Sequence, residues 1–403
     1  MEISPYTILI VLSFIVIISY IFNILAKALK VPSVLMLIGT GIALKYILEN
    51  QGIAFKLDPG TLELLGIMGL ILIVLEASLD LKLTREKLPI IRKSFGSALV
   101  LLLLTTVAIS YIFHYFLGAS LHASLVNAVP LGIISSAIAI PSVRNLDEHK
   151  REFIVYESSL SDILGIVLFN YVIQREILTA GSFATLGLNL LLIIIISVVS
   201  SFLLLFLMKR IKFHIKFFLI IAILILIYSL GKNMHLSSLV LIMTFGLIIN
   251  NTGLIFRGRL EKYINKEALK EELQRFKSIT RESAFIIRTF FFLLFGYYLD
   301  INTVLDLTVV TIGVSVLISI YILRFLYLKL IIRSDMIPEL YIAPRGLITI
   351  LLFFTIPKEY AVDAGGSVAT GILFFVIILT SLMMLVGLLS EKQRAVSIRE
   401  LIE

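Results

Sequence analysis

Val155-Tyr156-Glu157-Ser158-Ser159-Leu160-Ser161-Asp162-Ile163-Leu164-Gly165 puts two carboxylates and three serines inside a run, 152–173, that is otherwise apolar enough to cross a bilayer. Asp162 lies about ten residues into that run, ~15 Å at 1.5 Å per residue, near the middle of a hydrocarbon core of about 30 Å. A charge at such a depth costs at least about 2.5–3.5 kcal/mol by insertion scales, so one that is retained points to function. Ser158 precedes Asp162 by four positions, on the same helix face, and Ser161 directly precedes it, so three oxygen-bearing side chains cluster within about one turn of helix. A hard monovalent cation is suited by such a partial cage once backbone carbonyls complete it. A carboxylate withdrawn from water also holds its proton more firmly, so one residue can carry either a cation or a proton. That competition is the minimum chemistry of an exchanger. The plainer alternative is an aspartate that only ties helices together.

The rest of the chain has the same character. Of its 403 residues 59% are hydrophobic and 15% charged, too little polar surface to cover a water-soluble globule. Apolar runs long enough to span fall near 5–26, 32–49, 61–79, 96–118, 124–146, 152–173, 185–208, 214–231, 235–253, 283–300, 306–330, 337–357 and 368–390. The expected fold is therefore an all-α integral membrane protein of about thirteen spanning helices in the lipid bilayer. The first run lacks a basic leader and a cleavage site, and reads as a retained span rather than a signal peptide. Cysteine is absent, which excludes disulfides and thiolate metal sites. The five histidines are scattered without metal-ligand spacing. No resident metal and no cofactor is expected.

Basic residues set the expected orientation. If the N-terminus is outside, the exterior segments hold only Lys45, Lys56, Arg175, Lys232 and Lys358, and the cytoplasmic segments hold the dense clusters, such as Lys82, Arg85, Lys87, Arg92 and Lys93. The alternation never breaks, and the C-terminus is cytoplasmic. The net charge of +8 is this inward bias and no nucleic-acid footprint.

With spans 1–6 and 8–13 as repeats flanking a linking helix, counterparts are an odd number apart and so inverted, a layout common in secondary transporters. The pairing sets span 5, with Ala139-Ile140-Pro141, opposite span 12, with Ala343-Pro344-Arg345-Gly346. Proline removes a backbone donor, so Pro141 and Pro344 are expected to mark two broken helices whose free backbone groups need a cavity or an ion. Proline kinks are also common in spanning helices. Arg345 is placed to neutralise the negative end of a half-helix. Glu157 and Arg324 lie at comparable depth from the cytoplasmic side and are the expected buried ion pair, either purely structural or active in transport. Glu76 is a further ligand or a cytoplasmic entrance, and Arg288 snorkels to the interface. The expected organisation is dimer-side helices in 1–94, core helices in 95–175, linker and dimer-side helices in 176–253, a cytoplasmic amphipathic linker in 254–282, core helices of the second repeat in 283–390 and a cytoplasmic tail in 391–403.

Four passages resemble the monovalent cation/proton antiporter superfamily, and more closely its sodium/proton exchanger (NhaP-like) branch. Val31-Pro32 with the glycine-rich run to Ile42 looks like the second-span signature, and Leu75-Glu76-Ala77-Ser78-Leu79-Asp80 the third-span acidic motif. Glu157-Ser158-x-x-Ser161-Asp162 resembles the Glu-Ser-x-x-Asn-Asp core motif, and Pro344-Arg345-Gly346 the Arg-Gly of the second broken helix. Arg324 occupies the place of the arginine that pairs with the motif's glutamate. The resemblance implies a homodimer with an elevator-like core domain, Asp162 as the ion and proton carrier, and Na⁺ and H⁺ as substrates in a prokaryotic inner membrane. Two positions depart from the pattern. Ser161 replaces the asparagine, and Ala139-Ile140 replaces the threonine and aspartate often found before that proline, leaving backbone carbonyls such as that of Ala139 as ligands. A potassium/proton exchanger of the same fold is the closest alternative. No His-Glu-x-x-His, Gly-x-Gly-Asp or Asp-Asp-x-x-Asp motif argues for a membrane enzyme, and no filter loop argues for a channel.

Overall fold

In hydrocarbon a backbone N–H or C=O has no water to turn to, so apolar runs close their hydrogen bonds on themselves. Among the described residues of the computed structural model, which are 5–29, 33–50, 59–143, 146–173, 195–196, 198–200, 216–233, 238–251, 266–332, 337–362 and 367–402, every regular element is accordingly helical. These are α1 (Pro5–Leu29), α2 (Ser33–Asn50), α3 (Pro59–Asp80), α4 (Leu88–Leu117), α5 (Leu121–Gly132), α6 (Ser136–Ser142), α7 (Glu148–Ile173), α8 (Lys216–Asn233) and α9 (Ser238–Asn250). After them come α10 (Lys266–Tyr298), α11 (Ile301–Val304), α12 (Leu307–Tyr327), α13 (Leu347–Phe354) and α14 (Ser367–Ile402). Five of the helical stretches, Ser33–Asn50, Leu88–Leu117, Leu121–Ser142, Leu307–Ile332 and Ser367–Glu391, are long and apolar enough to cross a bilayer. The expected seventh span, 185–208, falls almost wholly outside the described residues.

Local chemistry sets the helix ends. Gly118 ends α4 in the left-handed region at φ 65°, which a glycine adopts without a Cβ clash. The Ser120 side chain caps α5 by accepting the Ala123 N–H, and Asp306 caps α12 by accepting from Thr308 and Val309 N–H.

Packing sorts the helices into two groups. α10 lies against α2, α3 and α1, and α3 also packs on α9, which meets α8. The second group joins α4 to α5, α7 and α12, α6 to α7, and α12 to α14, with α13 touching α5, α3 and α7 where the groups meet.

Two expectations are corrected here. The boundary at 282/283 is not a break: α10 runs unbroken from Lys266 to Tyr298, because a change from an amphipathic to an apolar pattern leaves the backbone hydrogen bonds intact. The start of the 283–390 block moves with it, since α10 packs among α1, α2 and α3 rather than with α12 and α14. The proline reading also fails in span 5. The chain unwinds at 133–135, and Pro141 sits inside α6, whose last residue is Ser142. Proline there costs α6 one backbone hydrogen bond but does not interrupt it before Ser142.

The α2–α10 crossing admits only glycine. A Cβ on Gly296 would stand 2.1 Å from the Ile38 carbonyl oxygen, and one on Gly41 2.0 Å from that of Leu293. Backbone cannot move aside as a side-chain tip can. Gly296→Ala should therefore lower stability by about 1–3 kcal/mol or more. Gly39→Ala, with nothing within 4 Å, should be neutral or stabilising by about 1 kcal/mol. Thermal melts of the detergent-solubilised protein distinguish the two, and equal melting temperatures would refute the close crossing.

Candidate ion-binding site

Three consecutive N–H groups are released where α5 gives way to α6, and each finds a partner outside its own helix. Ile134 N–H donates to Ser161 Oγ at 2.9 Å, Ser135 N–H to the Pro344 carbonyl at 2.8 Å, and Ser136 N–H to Asp162 Oδ2 at 3.2 Å. The second non-helical stretch, 342–346, precedes α13 and meets the first directly. Gly346 permits that meeting, because a Cβ there would lie 2.6 Å from Ser135 Oγ and 2.7 Å from Ile138 Cδ1.

Arg345 serves the opposite end of the same break. It is 1% exposed, and its Nε donates to the Leu131 carbonyl at 2.8 Å, Nη2 to that of Gly132 at 3.5 Å and Nη1 to that of Ala343 at 2.7 Å. Its own N–H is taken by Thr380 Oγ1 of α14 at 3.1 Å. The guanidinium therefore caps the C-terminal end of α5, where the helix dipole is negative, and the Asp162 carboxylate meets the N-terminal end of α6, where it is positive. Asp162 is 4% exposed, and its Oδ1 makes no hydrogen bond.

Glu157 and Arg324 form a fork at full burial, Nη1 to Oε1 at 3.0 Å and Nη2 to Oε2 at 2.7 Å. Two further partners complete it: Ser97 Oγ of α4 donates to Glu157 Oε1 at 2.5 Å, and Arg324 Nε donates to the Glu339 carbonyl at 2.8 Å. Three elements thus converge on the α7 stretch one to two turns before Asp162.

The other residues named from sequence are placed less centrally. Ser158 is buried, and its hydroxyl donates to the Ile154 carbonyl of its own helix at 2.8 Å. Ala139 is corrected together with Pro141: it lies inside α6, where its carbonyl accepts the Val143 N–H, so it is no unwound ligand. Pro344 does lie in a non-helical stretch. Glu76 stands on α3 with its Oε1 3.8 Å from Arg281 Nε of α10, and Arg281 also reaches Asp80 at 3.3 Å. The sequence reading missed Ser97, Ser136 and Thr380. They are ordinary hydroxyl residues in apolar helices, and only the tertiary contacts distinguish them.

The model of the transmembrane sodium/hydrogen exchanger family matches residues 10–390. The chain belongs to that family. Two solved structures share the exchanger fold, both of the sodium proton antiporter MjNhaP1 from Methanocaldococcus jannaschii. Each has a TM-score of 0.70 at 16% identity. One alignment covers 93% of this chain and 95% of that one, and the other covers 95% of both. No curated protein matches the chain. The family is one of transporters, and the chain is an integral membrane protein.

Removing one member of the buried fork strands the other charge in a medium of low dielectric. Glu157→Gln or Arg324→Gln alone should cost about 3–5 kcal/mol, and the double variant should recover part of that loss. A thermal-melt cycle in which the two losses simply add would show that the pair is not coupled.

Proposed function

We propose that this exchanger carries Na⁺ or Li⁺ one way and H⁺ the other, with Asp162 as the single carrier carboxylate. The observation that carries the reading is the state of that side chain. One oxygen is held by the Ser136 N–H and the other makes no hydrogen bond, at a crossing of two non-helical stretches deep in the helix core. Cation and proton compete for that oxygen, and each neutralises the charge. Ser158, one turn before Asp162, and Ser161, directly before it, supply further oxygens, and Glu76 contributes on the path from the cytoplasm. Thirteen spans in two inverted six-helix repeats, the N-terminus outside and the C-terminus cytoplasmic, complete the architecture. A homodimer, an elevator-like core and a place in a prokaryotic inner membrane serving pH homeostasis complete the reading.

Asp162→Asn keeps the volume and removes the exchangeable charge. It should abolish cation-driven proton movement in proteoliposomes read with a pH dye, while the protein still folds. Wild-type rates in that variant would sink the mechanism. Adding Na⁺, Li⁺ and K⁺ in turn separates the sodium reading from a potassium/proton exchanger.

The exchange is electroneutral, one cation for one proton. Ser161, directly before the carrier, cannot release a proton at physiological pH, and Glu157 is committed to Arg324. One exchangeable carboxylate remains. Moving a net charge would couple the cycle to voltage at about 2.3 kcal/mol per 100 mV. Rates at imposed potentials of opposite sign should therefore be equal, and a rate that follows the potential would refute this stoichiometry.

A further inference from the structure

The two helix groups meet along apolar contacts at two places. α13 lays Leu347 and Leu351 against glycines of α3: a Cβ on Gly66 would run into Leu351 Cδ2, and one on Gly69 would lie 3.9 Å from Leu347 Cδ2. Phe295 of α10 stacks on Phe374 of α14 with ring centroids 4.1 Å apart. Apolar contact has no direction, so surfaces of this kind can exchange one set of neighbours for another as they slide.

Where the chain passes from one group to the other, at 81–87, the bonding is directional. The first residues of this connection are fixed to α9. The Leu81 carbonyl accepts Asn250 Nδ2 at 2.8 Å and Asn251 Nδ2 at 2.9 Å, and the Leu83 N–H donates to Asn251 Oδ1 at 2.7 Å. α9 in turn lies so close to the end of α3 that a Cβ on Gly246 would run into Ser78 Oγ. Lys82, held between Leu81 and Leu83, therefore belongs to the frame of α3 and α9. Its carbonyl is taken from the opposite side: Tyr156 of α7, 5% exposed, donates its phenol proton to it at 2.6 Å. Tyr156 directly precedes Glu157 and lies six residues before Asp162.

We infer that Tyr156 is a positioning residue of the exchange cycle: its phenol is a catch that holds α7, and Asp162 with it, in one register against α3 and α9. The inference rests on the exchange reading, in which Asp162 must face the two sides of the membrane in turn. A hydrogen bond weakens steeply once its heavy atoms part beyond about 3.2 Å, so α7 cannot shift against α9 by much more than about 1 Å while the catch is closed. The apolar contacts at α13 and Phe295 resist such a shift far less sharply. Each turnover opens the catch and closes it again.

The chain contains no cysteine, so Gly66→Cys with Leu351→Cys introduces the only two thiols, and their rate of oxidative cross-linking reads how often the two groups stand in this register. Tyr156→Phe keeps the ring and removes the donor. Added to the cysteine pair, it should slow cross-linking roughly two- to tenfold, the worth of one hydrogen bond. Ser94→Ala is the control: Ser94 Oγ donates to the Phe153 carbonyl at 3.1 Å inside the second group, so its loss weakens the seating of α7 without touching the contact between groups. Unchanged cross-linking in Tyr156→Phe, or an equal slowing in Ser94→Ala, overturns the catch. Should the pair at Gly66 not fold, Phe295→Cys with Phe374→Cys reads the same contact. In proteoliposomes, Tyr156→Phe alone should raise the maximal Na⁺-driven rate, and a rate at or below that of wild type overturns its part in the cycle. If wild type moves no protons with any cation, the exchange reading fails, and the cross-linking series still decides whether Tyr156 holds the groups in register.

Discussion

The structure depends on pairing the backbone groups set free where α5 gives way to α6. A helix interrupted inside a bilayer exposes carbonyls at one end and N–H groups at the other, and each left unsatisfied costs several kcal/mol. This protein answers with side chains of opposite charge. Arg345 covers the Leu131 and Gly132 carbonyls, and Asp162 meets the Ser136 N–H. Among the described residues these two charges form no ion pair with each other. A direct bridge would satisfy both and leave the carboxylate unavailable. Attached instead to the two ends of one break, each is balanced by a half-helix dipole, and the carboxylate keeps an oxygen in reserve.

The Glu157–Arg324 fork does a different job. Charge-assisted and two-pronged, it fixes orientation as well as distance, and its extra bonds to Ser97 and the Glu339 carbonyl tie α7 to α4, α12 and the turn before 342–346. Asp162 is carried on the next stretch of α7. The rigidity that positions Asp162 therefore comes from a neighbouring pair whose charges are committed to each other.

How much of this was legible in the sequence follows from the cost of charge in lipid. Asp162, Glu157, Arg324 and Arg345 stood out because each is expensive in an apolar run, and the structure places all four at or beside the crossing. The position of the first break was not legible. Proline was the visible signal, but the chain unwinds at 133–135, where partners for its N–H groups come from α7 and from Pro344, residues remote in sequence. Ala139 was misplaced by the same reasoning. The continuity of α10 was hidden because polarity changes midway along it while helical hydrogen bonding does not. Ser161, read as a loss relative to the family asparagine, still accepts the Ile134 N–H, so a hydroxyl is enough to hold the unwound strand.

Binding and release impose opposite demands, and the two buried acidic groups of α7, Glu157 and Asp162, divide them. A fully satisfied carboxylate such as that of Glu157 gains nothing by taking up a cation or a proton, and it would lose strong bonds in doing so. A wholly unsatisfied one would bind its ion too tightly to let it go. Asp162 lies between these limits: the Ser136 N–H moderates the charge through Oδ2, and Oδ1 remains to be neutralised. The same N–H belongs to the first residue of α6, so any change in the charge on Asp162 is felt at the point where the two non-helical stretches meet. In the proposed exchange, ion occupancy and the geometry of the crossing would be coupled through this one hydrogen bond, the link that an alternating-access cycle requires between what is bound and which way the site faces.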